Sequence, residues 1–566
     1  MTFRHLLCVG MASNNSPDDV ADQRGVKMTQ VFRSKNSRRR FLQGLGAVGV
    51  AGFAGCLGDD DDTDPGDTPP DDVPDTMVLN AVQRFGTVDP AKGTDYTQVM
   101  AMVNLYDPLV FPDGEGVMQP HIAEDWTISE DGLEYVFELR DDITFHSGNQ
   151  LTAEDVVFSV ERMLGIGEGY SSLVGAVLDA DNVVAEDDYT VSMTLEEPHA
   201  PFLSVLSLQF IVDKEFIQET ADDDLGSELL DDVDAGSGAY ELGDFERGSH
   251  IEFERFDDYF IDFHQNSMRE VRVEIFDEDS TVLSSMRTGA LDMTSQYQSM
   301  SMYDTLLEEE DIAVEDIPTA TLLYFKMNTQ RAPTDDIEVR KAIAYGFDYE
   351  TAYSEIVSVA EPAQGPVAPV FDAHNPDVEQ PTYDPEYARQ ILEDAGYEEG
   401  EVEIVFTHVR DVDRQEQNAL LFQDNMEDIG IEVEINPQTW GRMTEMATDP
   451  EQTGHVNHVF YGPVYPAVDA YLFNMYHSEA AATWMSMEHL EDDQVDSLID
   501  QSRAAIDPDE QADLQRQAQA RIAELYPSIF VYVETKRHAW HENIGGYTFR
   551  PAMSFDYWWH DYYWDV

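Results

Sequence analysis

GSGAYELGDFERGSHIEFERFDDY occupies residues 236–259 and combines a glycine turn with an alternating strand. It opens on Gly236 and Gly238, two residues able to take positive φ and to let backbone approach a ligand closely. A turn follows at Arg247-Gly248-Ser249. Beyond it Ile251, Phe253 and Arg255 alternate with Glu252, Glu254 and Phe256, the period of a half-buried strand. Alone, this is a hairpin entered through a glycine turn.

Further stretches follow the same grammar. Val88-Asp89-Pro90 is a turn after the strand predicted over Met77–Val82, and Tyr96–Tyr106 is a helix candidate. Gln119-Pro120-His121-Ile122-Ala123-Glu124-Asp125-Trp126 leads, through a turn at Asp131-Gly132, into a strand over Tyr135–Leu139. Arg140–Gly148, RDDITFHSG, ends in a turn with a structural His146, and Thr152 with Asp155 predicts a capping box on a helix carrying Val156, Val160 and Met163. Strands are expected at Tyr189–Leu195 and Val271–Ile275, and Asp279–Met293 is a helix stopped by Gly289. A strand over Leu322–Asn328 precedes a helix over Asp335–Asp348 with Val339, Ile343 and Phe347 on one face. Asp384-Pro385 starts a helix that stops at Gly396, and Leu420–Ile429 ends at Gly430 before a strand with Ile431, Val433 and Ile435. Helix, glycine, strand, repeated, is α/β architecture. Leu498–Tyr526 holds two acidic helices broken at Asp507-Pro508, Ile529–Val533 is a buried strand, and the aromatic tail Phe555–Trp564 is expected to pack on the first domain.

Taken in order, these motifs resemble those of the family 5 extracellular solute-binding proteins, the oligopeptide- and dipeptide-binding type that feeds ABC importers. The run at 236–259 is similar to that family's "GTGPY … ERNPDYW", and RDDITFHSG to its "LR-x-G-V-x-F-H-D-G". The resemblance covers about residues 77–550. It implies a periplasmic-binding-protein-like α/β fold (type II, cluster C), two lobes hinged around a solute with an extra third domain. Domain I would be discontinuous (77–112, 208–320 and 535–566), domain II 113–207 and domain III 321–534. It further implies a monomer that hands its solute unaltered to permease and ATPase subunits, with no cofactor.

Composition bounds the rest. A chain of 566 residues exceeds one core. Asp and Glu number 114 against 32 Lys and Arg, a formal charge of −82, and lysine occurs only at positions 27, 35, 92, 214, 326, 341 and 536. The carboxylates are spread throughout, as on a solvated surface suited to high salt, the habit of haloarchaeal proteins. That charge argues against nucleic acid as a partner. Cysteine is confined to Cys8 and Cys56, which excludes a disulfide framework or a Cys-based metal site in the body of the protein.

The N-terminus reads as an address. Ser37-Arg38-Arg39-Arg40-Phe41-Leu42-Gln43 is a twin-arginine export pattern with Gln in the last place. The apolar run Leu42–Ala54 is too short to span a bilayer and fits a signal h-region. Phe53-Ala54-Gly55-Cys56 looks like a lipobox, so residues 1–55 would be extension and signal, Cys56 the lipidated first mature residue at the outer face of the membrane, and the acidic, Pro-rich 56–76 a tether.

The resemblance also implies where solute sits. In peptide-binding members a "gW-x-a-D-Y-x-D-P" stretch lines the cavity and its first Asp pairs with the peptide ammonium. Here the run is Tyr461-Gly462-Pro463-Val464-Tyr465-Pro466-Ala467-Val468-Asp469, with Tyr461 in the Trp place and Val464 in the Asp place. An enclosed cation without its counter-charge costs about 3–5 kcal/mol, two to four decades of affinity. A solute lacking that amine, such as a sugar oligomer or modified peptide, is therefore a candidate beside a peptide. Trp440, Tyr461 and Tyr465 offer flat faces, Asp469 a substitute carboxylate, and Gln83, Arg84, Phe85 and Gly86 border the cavity by resemblance, Arg84 facing an anionic group. His455 and His458 stand on opposite faces of a strand, against a shared metal. The competing class is an exported hydrolase; no Gly-x-Ser-x-Gly or His-Glu-x-x-His occurs, and no catalytic residue is singled out.

Overall fold

The computed structural model describes residues 73–566 apart from 115, 222–224, 277, 296, 358, 411 and 551–556. The twin-arginine pattern, the apolar run, Cys56 and nearly all of the acidic tether lie outside the described residues. Among the described residues no helix is long and apolar enough to cross a membrane.

Strand β1 (Thr76–Ala81) precedes helix α1 (Tyr96–Leu105), whose cap Asp95 accepts from the Gln98 amide while the Gln98 side chain accepts from Asp95 N. Strands β2 (Ala123–Ile128), β3 (Glu134–Leu139), β4 (Val183–Asp187) and β5 (Thr190–Thr194) form an antiparallel sheet in the order β2-β3-β5-β4. Helix α2 (Ala153–Ile166) belongs to the same core; at its start Asp155 accepts from both the amide and the hydroxyl of Thr152. Strands β6 (Tyr240–Glu246), β7 (His250–Arg255) and β8 (Glu270–Ile275) complete a second sheet in the order β1-β8-β7-β6, with β1 parallel to β8. Helix α3 (Asp279–Thr288) ends at Gly289, φ 68°. One apolar core serves both sheets and takes in Tyr557, Trp559 and Trp564 of the tail, Trp559 packing 4.7 Å from Phe253.

The second body is built on a six-stranded sheet. Long β9 (Ile312–Met327) is followed by α4 (Ile337–Gly346) and α5 (Pro385–Ala395). Then come β10 (Val402–Val409), α6 (Asp413–Asp428), β11 (Ile431–Gln438), α7 (Trp440–Met446), β12 (Val456–Tyr461) and α8 (Asp469–Tyr476). Helices α9 (Asp493–Ala504) and α10 (Pro508–Glu524) lead into β13 (Ser528–His541). The order is Glu361–Pro362, β13, β9, β12, β10, β11, and the two helix–glycine–strand units supply the parallel pair, Val402 opposite Ile431. Separate apolar clusters cover this sheet, one around Phe325, Phe406 and Phe422, another around Tyr324, Tyr461 and Tyr471.

β9 and β13 join the bodies. They pair antiparallel from Ile312 opposite His541 to Lys326 opposite Ser528, with a register shift between Pro318 and Leu322. Ile312 and Ala539 pack in a small cluster with Val282 of α3, whereas Leu323, Phe325 and Val531 lie in the second body's core. Both strands are longer than their sequences predict. Pro318 reads as a strand breaker, but it sits at the shift, where the ladder is already interrupted.

The glycine turn is also built differently from its expected form. Neither Gly236 nor Gly238 has positive φ; Gly248, at the hairpin turn, does. A Cβ on Gly236 would stand 1.7 Å from the Leu105 carbonyl oxygen, and one on Gly238 2.3 Å from that of Asn104. The close approach is thus to the end of α1 and not to a ligand. His146 braces the same turn: its amide donates to Gly236 O, its Nδ1 pairs with Asp234 at 2.6 Å, and its Nε2 meets Gly238 O at 2.9 Å. Burial draws the imidazole pKa down, but the Asp234 carboxylate more than offsets this and leaves it raised.

Candidate functional site

The predicted site residues fall into two groups. Gln83 to Gly86 leave β1 beside α1, where Val82 N donates to the Tyr96 hydroxyl. Arg84 is exposed, its guanidinium lying against Gly248, while Phe85 is buried edge-to-face on Phe245 at 6.5 Å. Gly86 is held close to Gln98.

The second group gathers around Trp484. Trp440 packs edge-to-face on it at 5.2 Å and Tyr461 lies 6.0 Å away. The Tyr461 hydroxyl donates to Ala470 O at 2.6 Å and accepts from Asn474, so this ring is fixed inside the second body. Gly462 and Pro463 lead to Val464, half-buried against the first body's core, which Tyr465 also joins. The Tyr465 hydroxyl donates to Asp469 at 2.7 Å, and the other Asp469 oxygen lies 3.4 Å from Arg503. Arg503 in turn reaches His199 at 3.3 Å, its carbonyl accepts from Ala200 N, and its guanidinium sits 3.8 Å over Phe473. Asp469 is therefore committed to a bridge between the loop at His199 and the second body. His199, enclosed there, has its pKa lowered to about 4 by burial, with Arg503 adding to the shift against Asp469. Arg84 and the 461–469 run share no hydrogen-bond or ring partner among the described residues.

Sequence reading missed a third group. Where β13 passes from one body to the other, Tyr532, Glu534, Lys536 and His538 share one face at strand period. Glu534 pairs with Lys536 at 3.2 Å and with Arg414, in the first turn of α6, at 3.1 Å. Lys536 Nζ stands 4.6 Å over the ring of Tyr297 from the first body, and Arg414 4.9 Å over Phe460 from β12. Arg414 keeps 36% of its side chain accessible, against 11% for Lys536 and 8% for Glu534. Burial raises the Glu534 pKa, but Lys536 and Arg414 outweigh it, so the carboxylate stays ionised. His538 is neutral: burial, with the Lys536 charge behind it, pushes its pKa down to about 3. Both His538 nitrogens are buried without a hydrogen-bond partner among the described residues, the ring lying against Tyr547, Phe549 and Tyr557. Such groups cost about 1–3 kcal/mol each unless something bonds to them. The signal for this group was present, an alternating Tyr-x-Glu-x-Lys-x-His containing one of seven lysines.

This arrangement suits binding better than proton transfer. A carboxylate held ionised by two cations is a weak general base, and a histidine of such low pKa stays neutral across the usual range. His455 and His458 are spent separately: His455 accepts from Val405 N and meets Ala332 O, while His458 packs on Phe325. No group able to hold a metal occurs among the described residues.

Comparison with known proteins places this architecture. The dipeptide-binding protein of Escherichia coli is 26% identical over 488 residues, covering 81% of this chain and 89% of the relative. Heme-binding protein A of Haemophilus influenzae is 27% identical over 55% of this chain and 59% of the relative. Among solved structures, HbpA2 from Haemophilus parasuis superposes with a TM-score of 0.78 at 20% identity, over 87% of this chain and all of the other. The fold is thus the α/β periplasmic-binding-protein type. Residues 117–483 match the model described as bacterial extracellular solute-binding proteins, family 5 middle, so the chain belongs to the family 5 extracellular solute-binding proteins.

Proposed function

We propose that this protein is the receptor of an ABC importer: it closes two lobes on a small solute outside the cell and passes it on unaltered to permease and ATPase subunits. The observation that carries the reading is the pair β9 and β13, which run through both bodies with a register shift at their crossing and buried, unpartnered polar groups beside it. The paired strands shift register twice, between Pro318 and Leu322 and between Leu323 and Tyr324, and this irregular stretch is the hinge of the reading.

The reading extends to the parts that anchor it. Residues 77–112, 208–320 and 535–566 act as domain I, 113–207 as domain II and 321–534 as domain III. The chain works as a monomer, exported by the twin-arginine route, lipidated at Cys56, and adapted to high salt by its −82 charge. The solute is oligopeptide-like, as the kinship with a dipeptide-binding protein suggests. A second reading, a solute without an amine, has its own support: Val464, in the place of the family's ammonium-pairing Asp, packs on apolar core, and Asp469 already faces Tyr465 at 2.7 Å and Arg503 at 3.4 Å. The test is native mass spectrometry of protein purified in molar KCl, followed by incubation with the solute it retains. Saturable binding without turnover is expected; product formation from that solute would refute the receptor.

A further inference from the structure

Besides the paired strands β9 and β13, the two bodies meet at a seam. Residues 198–200 precede Phe202 and Val205 of the first body's core, while α9 packs Leu498 and Ile499 into the second. Across the seam Ala200 N donates to Arg503 O at 2.7 Å. Ile506 and Pro198 crowd the turn at Gly132, where a Cβ would stand 3.3 and 3.4 Å from them. The Arg503 guanidinium donates to His199 Nδ1 at 3.3 Å. A guanidinium has no lone pair to offer, so Nδ1 is the acceptor and the ring is neutral. A proton on Nδ1 would replace that lone pair with a second donor and set two cations against each other. The charged groups that bear on the ring are Asp469 of α8 and Arg503 of α9; burial, the largest effect, and Arg503 together outweigh Asp469 and lower its pKa to about 4. Asp469 does not depend on the seam, since Tyr465 at 2.7 Å and Arg503 at 3.4 Å belong to its own body. Parting the bodies therefore strands no carboxylate and frees His199 to take up a proton.

Resting on the receptor reading, we propose that His199 and Arg503 form a latch that holds the two bodies together while His199 is neutral and releases them when it is protonated, so that acid opens the receptor. His199 binds its proton more readily once the bodies part. The closed arrangement is thus favoured above pH 6.5 and loses ground as pH falls toward about 4. Glu488, raised to about 7 by burial, and His146 also titrate near this window. Glu488 pairs with Lys326 inside the second body and His146 with Asp234 inside the first, so parting the bodies leaves both pairs intact.

Hydrogen exchange of the Ala200 amide reads the seam directly, because its acceptor, Arg503 O, lies in the other body. The full mature protein is compared in molar KCl at pH about 7.5 and about 5.5, with intrinsic exchange rates corrected, and native mass spectrometry follows the solute it retains on purification. Protection of Ala200 is expected to fall about tenfold between the two conditions, as a ring that titrates at about 4 in the seam and 6.5 when free requires, and the retained solute to leave faster in acid. His199→Asn, a neutral acceptor, should keep protection and solute at both pH values. His199→Arg, a fixed charge, should lose protection at both. Unchanged denaturant unfolding of His199→Asn keeps the comparison one of opening. Protection that ignores pH, or falls equally in His199→Asn, overturns the latch. Protection that falls while solute loss ignores both pH and His199→Asn overturns the latch and leaves the receptor standing. A protein that retains and binds no solute at either pH overturns the receptor reading and the latch with it.

Discussion

Replacing Gly236 by alanine adds one methyl group and should unfold much of what surrounds it. The new Cβ would lie 1.7 Å from the Leu105 carbonyl oxygen, 2.8 Å from its carbon and 2.9 Å from the Tyr106 ring. The first two obstacles are backbone, so no rotamer change relieves them, and α1 must shift by about the deficit from a normal carbon–oxygen contact. Two residues on, Asp107 receives His121 at 2.7 Å, Ser237 at 2.8 Å and Tyr259 at 3.0 Å, and this buried carboxylate moves with the helix end. Overpacking alone costs about 1–3 kcal/mol, and one charged hydrogen bond lost from Asp107 adds about 1.5–3 kcal/mol. A loss of at least about 3 kcal/mol is expected, a large share of the usual 5–15. Gly441 in α7 is the matched control: nothing stands within 4 Å of its Cβ, and alanine there should be neutral or stabilise by about 0.5–1 kcal/mol. Denaturant unfolding in molar KCl reads both. A Gly236→Ala protein within 1 kcal/mol of the parent, by the same slope, would show that this contact does not hold the turn.

Other perturbations have worked signs. His146, whose folded pKa is raised above 6.5, adds stability that is full below pH 6.5 and lost as pH rises through the folded value; Asp234, lowered from 3.8, adds stability that is lost as pH falls. Asp234→Asn should therefore drop the His146 pKa below 6.5 in an NMR titration, since burial then acts unopposed; a value still above 6.5 would contradict the pairing. Arg503→Met leaves buried Asp469 with Tyr465 alone, at about 3–5 kcal/mol, and adding Asp469→Asn should restore most of it, which a double-mutant cycle of unfolding free energies measures. Lys326 and Glu488, both fully buried and 3.0 Å apart, should behave alike: Lys326→Met destabilises by about 3–5 kcal/mol, and the double change Lys326→Met, Glu488→Leu recovers it. Full additivity of either pair would deny the coupling.

Most of the fold is local and was readable for that reason. Thr152 and Asp384 stand where the structure starts helices, the break at Asp507-Pro508 separates α9 from α10, and Gly289 and Gly396 stop two helices in left-handed geometry. Alternation located β7, β8 and β11 to within a few residues. The errors share a cause. Helix α6 begins at Asp413, ahead of its expected span, because its first turns are polar and carry no apolar stripe. β9 starts ahead of its expected span because Pro318 interrupts the added stretch, and β13 runs past its predicted end because the added residues include Glu534, Lys536 and Arg537, whose partners come from distant parts of the chain, as Asp316 and Asp304 do for Arg537.

The same cause hid the stripe on β13. A period of two says that Tyr532, Glu534, Lys536 and His538 share a face, but not whether that face meets water, core or a second body. In a chain with 114 carboxylates, one more Glu beside a Lys reads as solvated surface. Topology gives the pair its meaning: β13 passes between the bodies, Arg414 arrives from a helix 120 positions earlier in the chain than Glu534, and Tyr297 comes from the other body. At 461–469 the residue types were legible and their commitments were not, since Tyr461 and Asp469 are claimed by Ala470 and Arg503 of their own body. Which polar groups a fold leaves unpaired is defined only after every tertiary partner has been assigned, and no local pattern in the sequence carries that information.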